Sequence, residues 1–155
     1  GTAPTERLLD RLNVFTVDGY DVRKQVVALV AEHLTPRNLF IHRERATEGA
    51  FRRLALRVDC RLLYRVAKAD ALGRTGTARD AEPQDWFFER IRELGLEGGA
   101  PAPLLLGRHV LELGLEPGPE VGRVTKAVYE LQLDGEVGDL DAALAAARRL
   151  IGTPR

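Results

Sequence analysis

The sequence predicts an all-α protein, a bundle of about seven to eight helices that ends in a helix-hairpin-helix-like elbow. Leu, Ala, Arg and Glu dominate its 155 residues, and all four favour helix. Apolar residues recur at three- and four-residue spacing along most of the chain. The β-branched content is too modest for a large sheet.

The elements follow in order. Thr5 is placed to cap a short amphipathic helix striped by Leu8, Leu9 and Leu12. Asp18-Gly19 marks a turn. A second helix is expected from about Asp21 to Leu34, with Val22, Val26, Leu29 and Val30 facing the core and Pro36 ending it. Thr47 caps a third, with Leu54 and Val58 on its inner face; Asp59 breaks and recaps the chain. A fourth carries Leu62, Leu63, Val66 and Ala69 and stops at Gly73. Arg74 to Glu82 reads as a linker. Pro83 suits the first turn of a fifth helix holding Trp86, Phe87, Ile91 and Leu94. Gly95 to Pro103, with three Gly and two Pro, is a loop and the best domain boundary. Beyond it come a short helix near Arg108–Leu113, a turn over Gly114–Gly118, and a longer helix from Pro119 with Val121, Val124, Val128, Tyr129 and Leu131. Asp134-Gly135 turns the chain into a last, alanine-rich helix over roughly Leu140–Leu150.

Composition narrows the function. Hydrophobic residues at 45% and charged residues at 30% are globular values, and the formal net charge of zero argues against a strongly basic nucleic-acid module. One cysteine, Cys60, allows no internal disulfide and no cysteine-rich metal site, so a reducing, cytoplasmic setting is expected. No apolar run approaches the ~18 residues of a membrane span, no signal peptide is visible, and no internal repeat stands out. The chain has no methionine and begins at Gly1, so it is expected to be an excised piece whose parent's chemistry lies upstream.

Two features offer a binding surface. Around Leu113–Gly122, a Gly-containing turn between two helices lets backbone pass close to a phosphate, with Arg108, His109, Arg123 and Lys126 beside it. Pro119 removes one amide from that cradle. The alternative is a rigid elbow with no ligand. Arg53, Arg57, Arg61 and Arg65, spaced by four and extended by Lys68, would form one basic stripe on a continuous helix; the alternative is a solvated face paired with acids.

Catalytic candidates are weaker. His33, His42 and His109 are scattered, with no zinc-protease spacing. His33 suits a structural role at a helix end. Asp70 borders an apolar face, and Asp139-x-Asp141 better fits a helix cap than a magnesium pair. Cys60 lacks an activating partner, and Trp86, Phe87 and Phe88 read as core anchors.

The run Leu104-Leu-Leu-Gly-Arg-His-Val-Leu-Glu-Leu-Gly-Leu-Glu-Pro-Gly-Pro-Glu-Val-Gly122, continuing to Leu133-Asp-Gly-Glu-Val137, resembles the C-terminal region of bacterial tRNA nucleotidyltransferases, the CCA-adding and poly(A) polymerase-like enzymes. Thr47-Glu-Gly-Ala-Phe-Arg-Arg-Leu-Ala55 and Ala67-Lys-Ala-Asp-Ala-Leu-Gly-Arg74 are similar to their helical body, which is related to the HD-type phosphohydrolase fold in some members. The resemblance covers roughly residues 20 to 150. It implies a helical HD-related body over 1–95 and a tRNA-binding tail over 104–155.

In that family an N-terminal head does the chemistry, with a Gly-rich turn and paired aspartates. Neither that motif nor the His-Asp dipeptide of the HD site stands here; only Asp70 matches the last Asp of that fold. The resemblance thus implies no catalytic and no metal-binding residue in this chain. RNA contact would fall to Arg53, Arg57, Arg61, Arg74, Arg108, Gly114, Gly118, Arg123 and Lys126. It implies no cofactor here, while the parent enzyme uses magnesium and nucleoside triphosphates. The expected partners are tRNA and the head domain, with a second copy of the chain as a further candidate and no membrane. The alternatives are a degenerate HD-type metal phosphohydrolase, built on Asp70 and His33, and a structural or dimerising helical module.

Overall fold

The computed structural model describes residues 1–73 and 80–152. Arg74, and with it most of the linker expected over Arg74–Glu82, lies outside the described residues. The chain divides into two compact units, one of Gly1–Ala46 and Arg53–Ala100, the other of Thr47–Arg52 and Pro101–Arg155. Nine α-helices, a 3₁₀ turn and one two-stranded hairpin make up the elements among the described residues, so the all-α class stands.

In the first unit, α1 spans Thr2–Arg11. Thr5 does not cap it; its hydroxyl lies inside the helix and donates to the Gly1 carbonyl at 2.9 Å. Leu9 is buried, while Leu8 and Leu12 stay exposed. The Asp18-Gly19 turn joins β1 (Thr16–Val17) to β2 (Tyr20–Asp21). Both turn residues have positive φ, at 50° and 79°, as a two-residue hairpin of right-handed twist requires. Asp21 then caps α2 (Val22–Glu32), its carboxylate accepting the Lys24 amide at 2.8 Å. Val22, Val26, Leu29 and Val30 are half-buried there.

Pro36 does not simply end α2. It sits, buried, in the first turn of a further helix, α3 (Thr35–Ile41), where its missing N–H is no loss. Helix α4 (Glu48–Ala55) begins after Thr47, whose hydroxyl accepts the Ala50 amide at 3.4 Å. The break at Asp59 is real: its carboxylate caps α5 (Cys60–Gly73) by accepting the Arg61 and Leu62 amides at 2.8 and 3.0 Å. The inner face of α5 is Cys60, Leu63 and Ala67, not the expected Leu62, Leu63, Val66 and Ala69; Val66 and Ala69 are exposed. Two overlapping apolar stripes run through Leu62-Leu63, and packing selects the second.

Helix α6 (Glu82–Glu93) buries Gln84, Phe87 and Ile91, and Trp86 meets Phe40 edge-on at 5.6 Å. Between α5 and α6, Tyr64 stacks on Phe88 at 4.5 Å and donates to Asp85 at 2.8 Å; Lys68 donates to the same carboxylate at 2.6 Å. A 3₁₀ turn (Leu96–Gly98) closes the unit.

The second unit packs α7 (Gly107–Glu112), α8 (Pro119–Asp134) and α9 (Leu140–Gly152) around Leu105, Val110, Val124, Val128, Val137, Ala143, Ala146 and Ala147. The alanines allow α9 to approach closely. Asp139 caps α9, accepting the Ala142 amide at 2.8 Å. Gly135 ends α8 in the left-handed region at φ 84°, and the Glu136 amide closes back on the Leu131 carbonyl at 2.9 Å. Arg52 holds the same helix end, donating to the Leu133 carbonyl at 2.9 Å while Glu48 holds its other nitrogen at 2.6 Å. Gln132 fixes the preceding loop by accepting the Leu104 amide and donating to the Ala102 carbonyl.

Candidate nucleic-acid interface

The elbow between α7 and α8 is set by its glycines. Gly114 takes φ 90°, in the left-handed region, and its amide closes α7 on the Leu111 carbonyl at 2.9 Å. Nothing lies within 4 Å of where a Cβ on Gly114 would sit. Gly118, at φ 170°, is simply extended. Gly114 and every residue from Glu116 to Glu120 are exposed. Leu113, Leu115 and Val121 turn inward onto the core, which leaves the backbone of the turn facing solvent.

Three cations stand near this turn in sequence, and each is exposed. Lys126 forms no side-chain hydrogen bond or ion pair among the described residues. Arg108 lies 3.3 Å from His109 Nε2, but that ring already accepts the Leu106 amide at Nδ1, at 3.1 Å. A neutral imidazole accepts at one nitrogen only, so the ring cannot hold both Leu106 and Arg108, and no carboxylate holds the Arg108 guanidinium among the described residues. Arg123 differs: Glu120, one turn back on α8, holds it at 2.5 Å. The opposite charges at i,i+3 are the sequence signal for that pair.

The second candidate surface breaks up. Helix α4 ends at Ala55 and α5 starts at Cys60, so the arginines do not lie on one continuous helix. Arg53 is half-buried and engaged. Arg57 donates to Glu32 at 2.9 Å. Burial acts to raise the Glu32 pKa, yet hydrogen bonds from Thr35 and Arg57 bring it below the ordinary carboxylate range. Arg61 is 3.9 Å from Glu97. Lys68 is tied to Asp85, whose pKa is lowered chiefly by that hydrogen bond; the lysine's is raised by it. Only Arg65 of the stripe is exposed without such a partner among the described residues. Arg53, Arg57 and Arg61 belong to the first unit, and Arg108, Gly114, Gly118, Arg123 and Lys126 to the second.

His33 contacts the Val30 carbonyl through Nδ1 at 2.8 Å, at the end of α2. Asp70 is exposed rather than part-buried. Cys60 is buried, and burial pushes its thiol up to about 12. Among the described residues no three His, Cys, Asp or Glu side chains gather as a metal centre would, and no helix is long and apolar enough to cross a membrane.

No family model matches the chain, and no solved structure matches it. Two curated proteins do. The CC-adding tRNA nucleotidyltransferase of Thermus thermophilus is 36% identical over 127 residues, 81% of this chain and 27% of that protein. The A-adding tRNA nucleotidyltransferase of Deinococcus radiodurans is 33% identical over 151 residues, 96% of this chain and 33% of that protein. The chain spans a third or less of the length of these relatives.

Proposed function

We propose that this chain, a sequence relative of the tRNA nucleotidyltransferases, is the helical part that grips tRNA while a separate head domain adds nucleotides to the 3′ end. The observation that carries the proposal is the solvent-facing elbow from Gly114 to Pro119, flanked by exposed Arg108, Arg123 and Lys126. An open backbone turn and flexible cations on the adjoining helices suit a phosphate chain, whose binding is dominated by charge. The two relatives' names supply the substrate class.

The head would bring magnesium and the nucleoside triphosphates. The Asp139-x-Asp141 pair does not offer both carboxylates to magnesium, because Asp139 is occupied in capping α9. No catalytic step is therefore assigned to it. Sequence over 101–155 holds six basic and eight acidic residues, so the grip is local rather than a broad positive field.

The test is tRNA binding at about 50 mM salt by the full chain and by a triple variant, Arg108→Ala, Arg123→Ala and Lys126→Ala. The triple variant is expected to lower the affinity and to flatten the salt dependence by roughly 0.7–0.9 log units per lost phosphate contact. Binding that survives the triple variant unchanged removes the elbow from the interface.

A further inference from the structure

We infer that a cavity in the first unit, bounded by the β1–β2 turn, the first turn of α2, the α4–α5 connection and the 3₁₀ turn, takes a single unpaired nucleotide of RNA. The inference rests on the RNA reading above, but on a separate set of residues. The cavity holds about 450 Å³, within the range of small-ligand sites, and is lined by Tyr20, Lys24, Gln25 and Arg61 among others.

Four observations point to the ligand's chemistry. Tyr20 stands 50% exposed on a two-residue strand, offering an aromatic face. Lys24 is exposed, and its ammonium forms no hydrogen bond or ion pair among the described residues. Arg61 meets Glu97 only at 3.9 Å, the weak limit of an ion pair. The side-chain amide nitrogen of Gln25 is buried with no hydrogen-bond partner. A buried donor left unpaired is costly and calls for an acceptor.

Of the three acids in the cavity wall two are occupied as caps, and the third, Glu97, faces Arg61. Asp21 and Asp59 accept backbone amides as helix caps. Arg57 is held by Glu32. What remains is an aromatic face, one unpaired cation, a second held loosely by Glu97, and one orphan donor buried on a residue of the wall. An apolar ligand would leave the donor and the cations unmet. Inorganic phosphate would leave the ring unused. A nucleotide offers a base to stack on Tyr20, a phosphate for Lys24 and Arg61, and a base carbonyl or phosphate oxygen for Gln25.

The test titrates the full, nitrogen-15-labelled chain at low salt with oligouridylate of four nucleotides, uridine 5′-monophosphate and inorganic phosphate, following the Gln25 side-chain amide by NMR. The oligonucleotide is expected to move that resonance saturably and more tightly than the monophosphate, with phosphate alone inert. Tyr20→Ala should weaken binding about tenfold, as loss of one base stack does, and Tyr20→Phe should retain it. A silent Gln25 amide, an equal response to phosphate, equal affinity for the free monophosphate, or an indifferent Tyr20→Ala variant each overturns the assignment. The triple variant at the elbow separates the two readings: it leaves the Gln25 response intact, whichever way tRNA binding goes.

Discussion

Glu120 is the residue at the elbow whose removal is expected to improve binding. Its carboxylate holds Arg123 at 2.5 Å, with the glutamate side chain 53% and the arginine 40% exposed. Such a surface pair is worth about 0–1 kcal/mol. A phosphate that recruits Arg123 must first break it, and must then sit beside a bare carboxylate. Glu120→Gln removes both obstacles. The gain is therefore bounded near 1 kcal/mol, about two- to fivefold in tRNA affinity, and it shrinks as salt rises because the charges are exposed. Glutamate in the first turn of α8 also favours the helix dipole, so the variant should lose about 0.3–1 kcal/mol of stability. Fluorescence anisotropy with labelled tRNA at about 50 and 200 mM salt, well below the unfolding transition, reads the effect. The same substitution in an Arg123→Ala background should give a smaller gain, since no guanidinium is left to release. Unchanged or weaker binding at low salt refutes the reasoning. So does a full gain that persists without Arg123.

Two further outcomes follow from the fold. Gly135→Ala forces a side chain into φ 84° and sets its Cβ 3.3 Å from Arg52 Nη1, so it should cost about 1–2 kcal/mol in urea unfolding; Gly135→Asn, which tolerates that conformation, should cost less. Cys60 should resist alkylation in the folded chain at pH 8 and react freely in denaturant, because its thiol is buried and pushed up to about 12. The sign for stability follows from the same shift. The unfolded thiol ionises near 9.0 and the folded one near 12, so the contribution of Cys60 is whole below pH 9 and is lost as pH rises toward 12. A Cys60→Ala variant should lack that alkaline decline.

What was legible in the sequence was local. Asp59 and Asp139 announce their caps because a carboxylate before a helix has amides two or three residues ahead to accept, and Asp18-Gly19 announces the hairpin because few residue pairs tolerate two positive φ values. The open elbow was legible for the same reason, since Gly114 and the Pro-Gly-Pro run constrain only their own backbone. What was not legible depends on residues far apart in the chain. Arg57 and Arg61 look like a track when counted by fours, yet their partners are Glu32 and Glu97, 25 and 36 positions away. No spacing singles out Gln132 and Arg52, which fasten a loop and a helix end. The cavity around Tyr20 and Gln25 belongs to this second class, because its walls come from four segments that no spacing rule connects. A charged stripe in a sequence therefore marks a nucleic-acid surface only after its acids are located. By that measure Lys126, Arg108 and Lys24 remain available to a phosphate, whereas Arg57, Lys68 and Arg52 are already engaged.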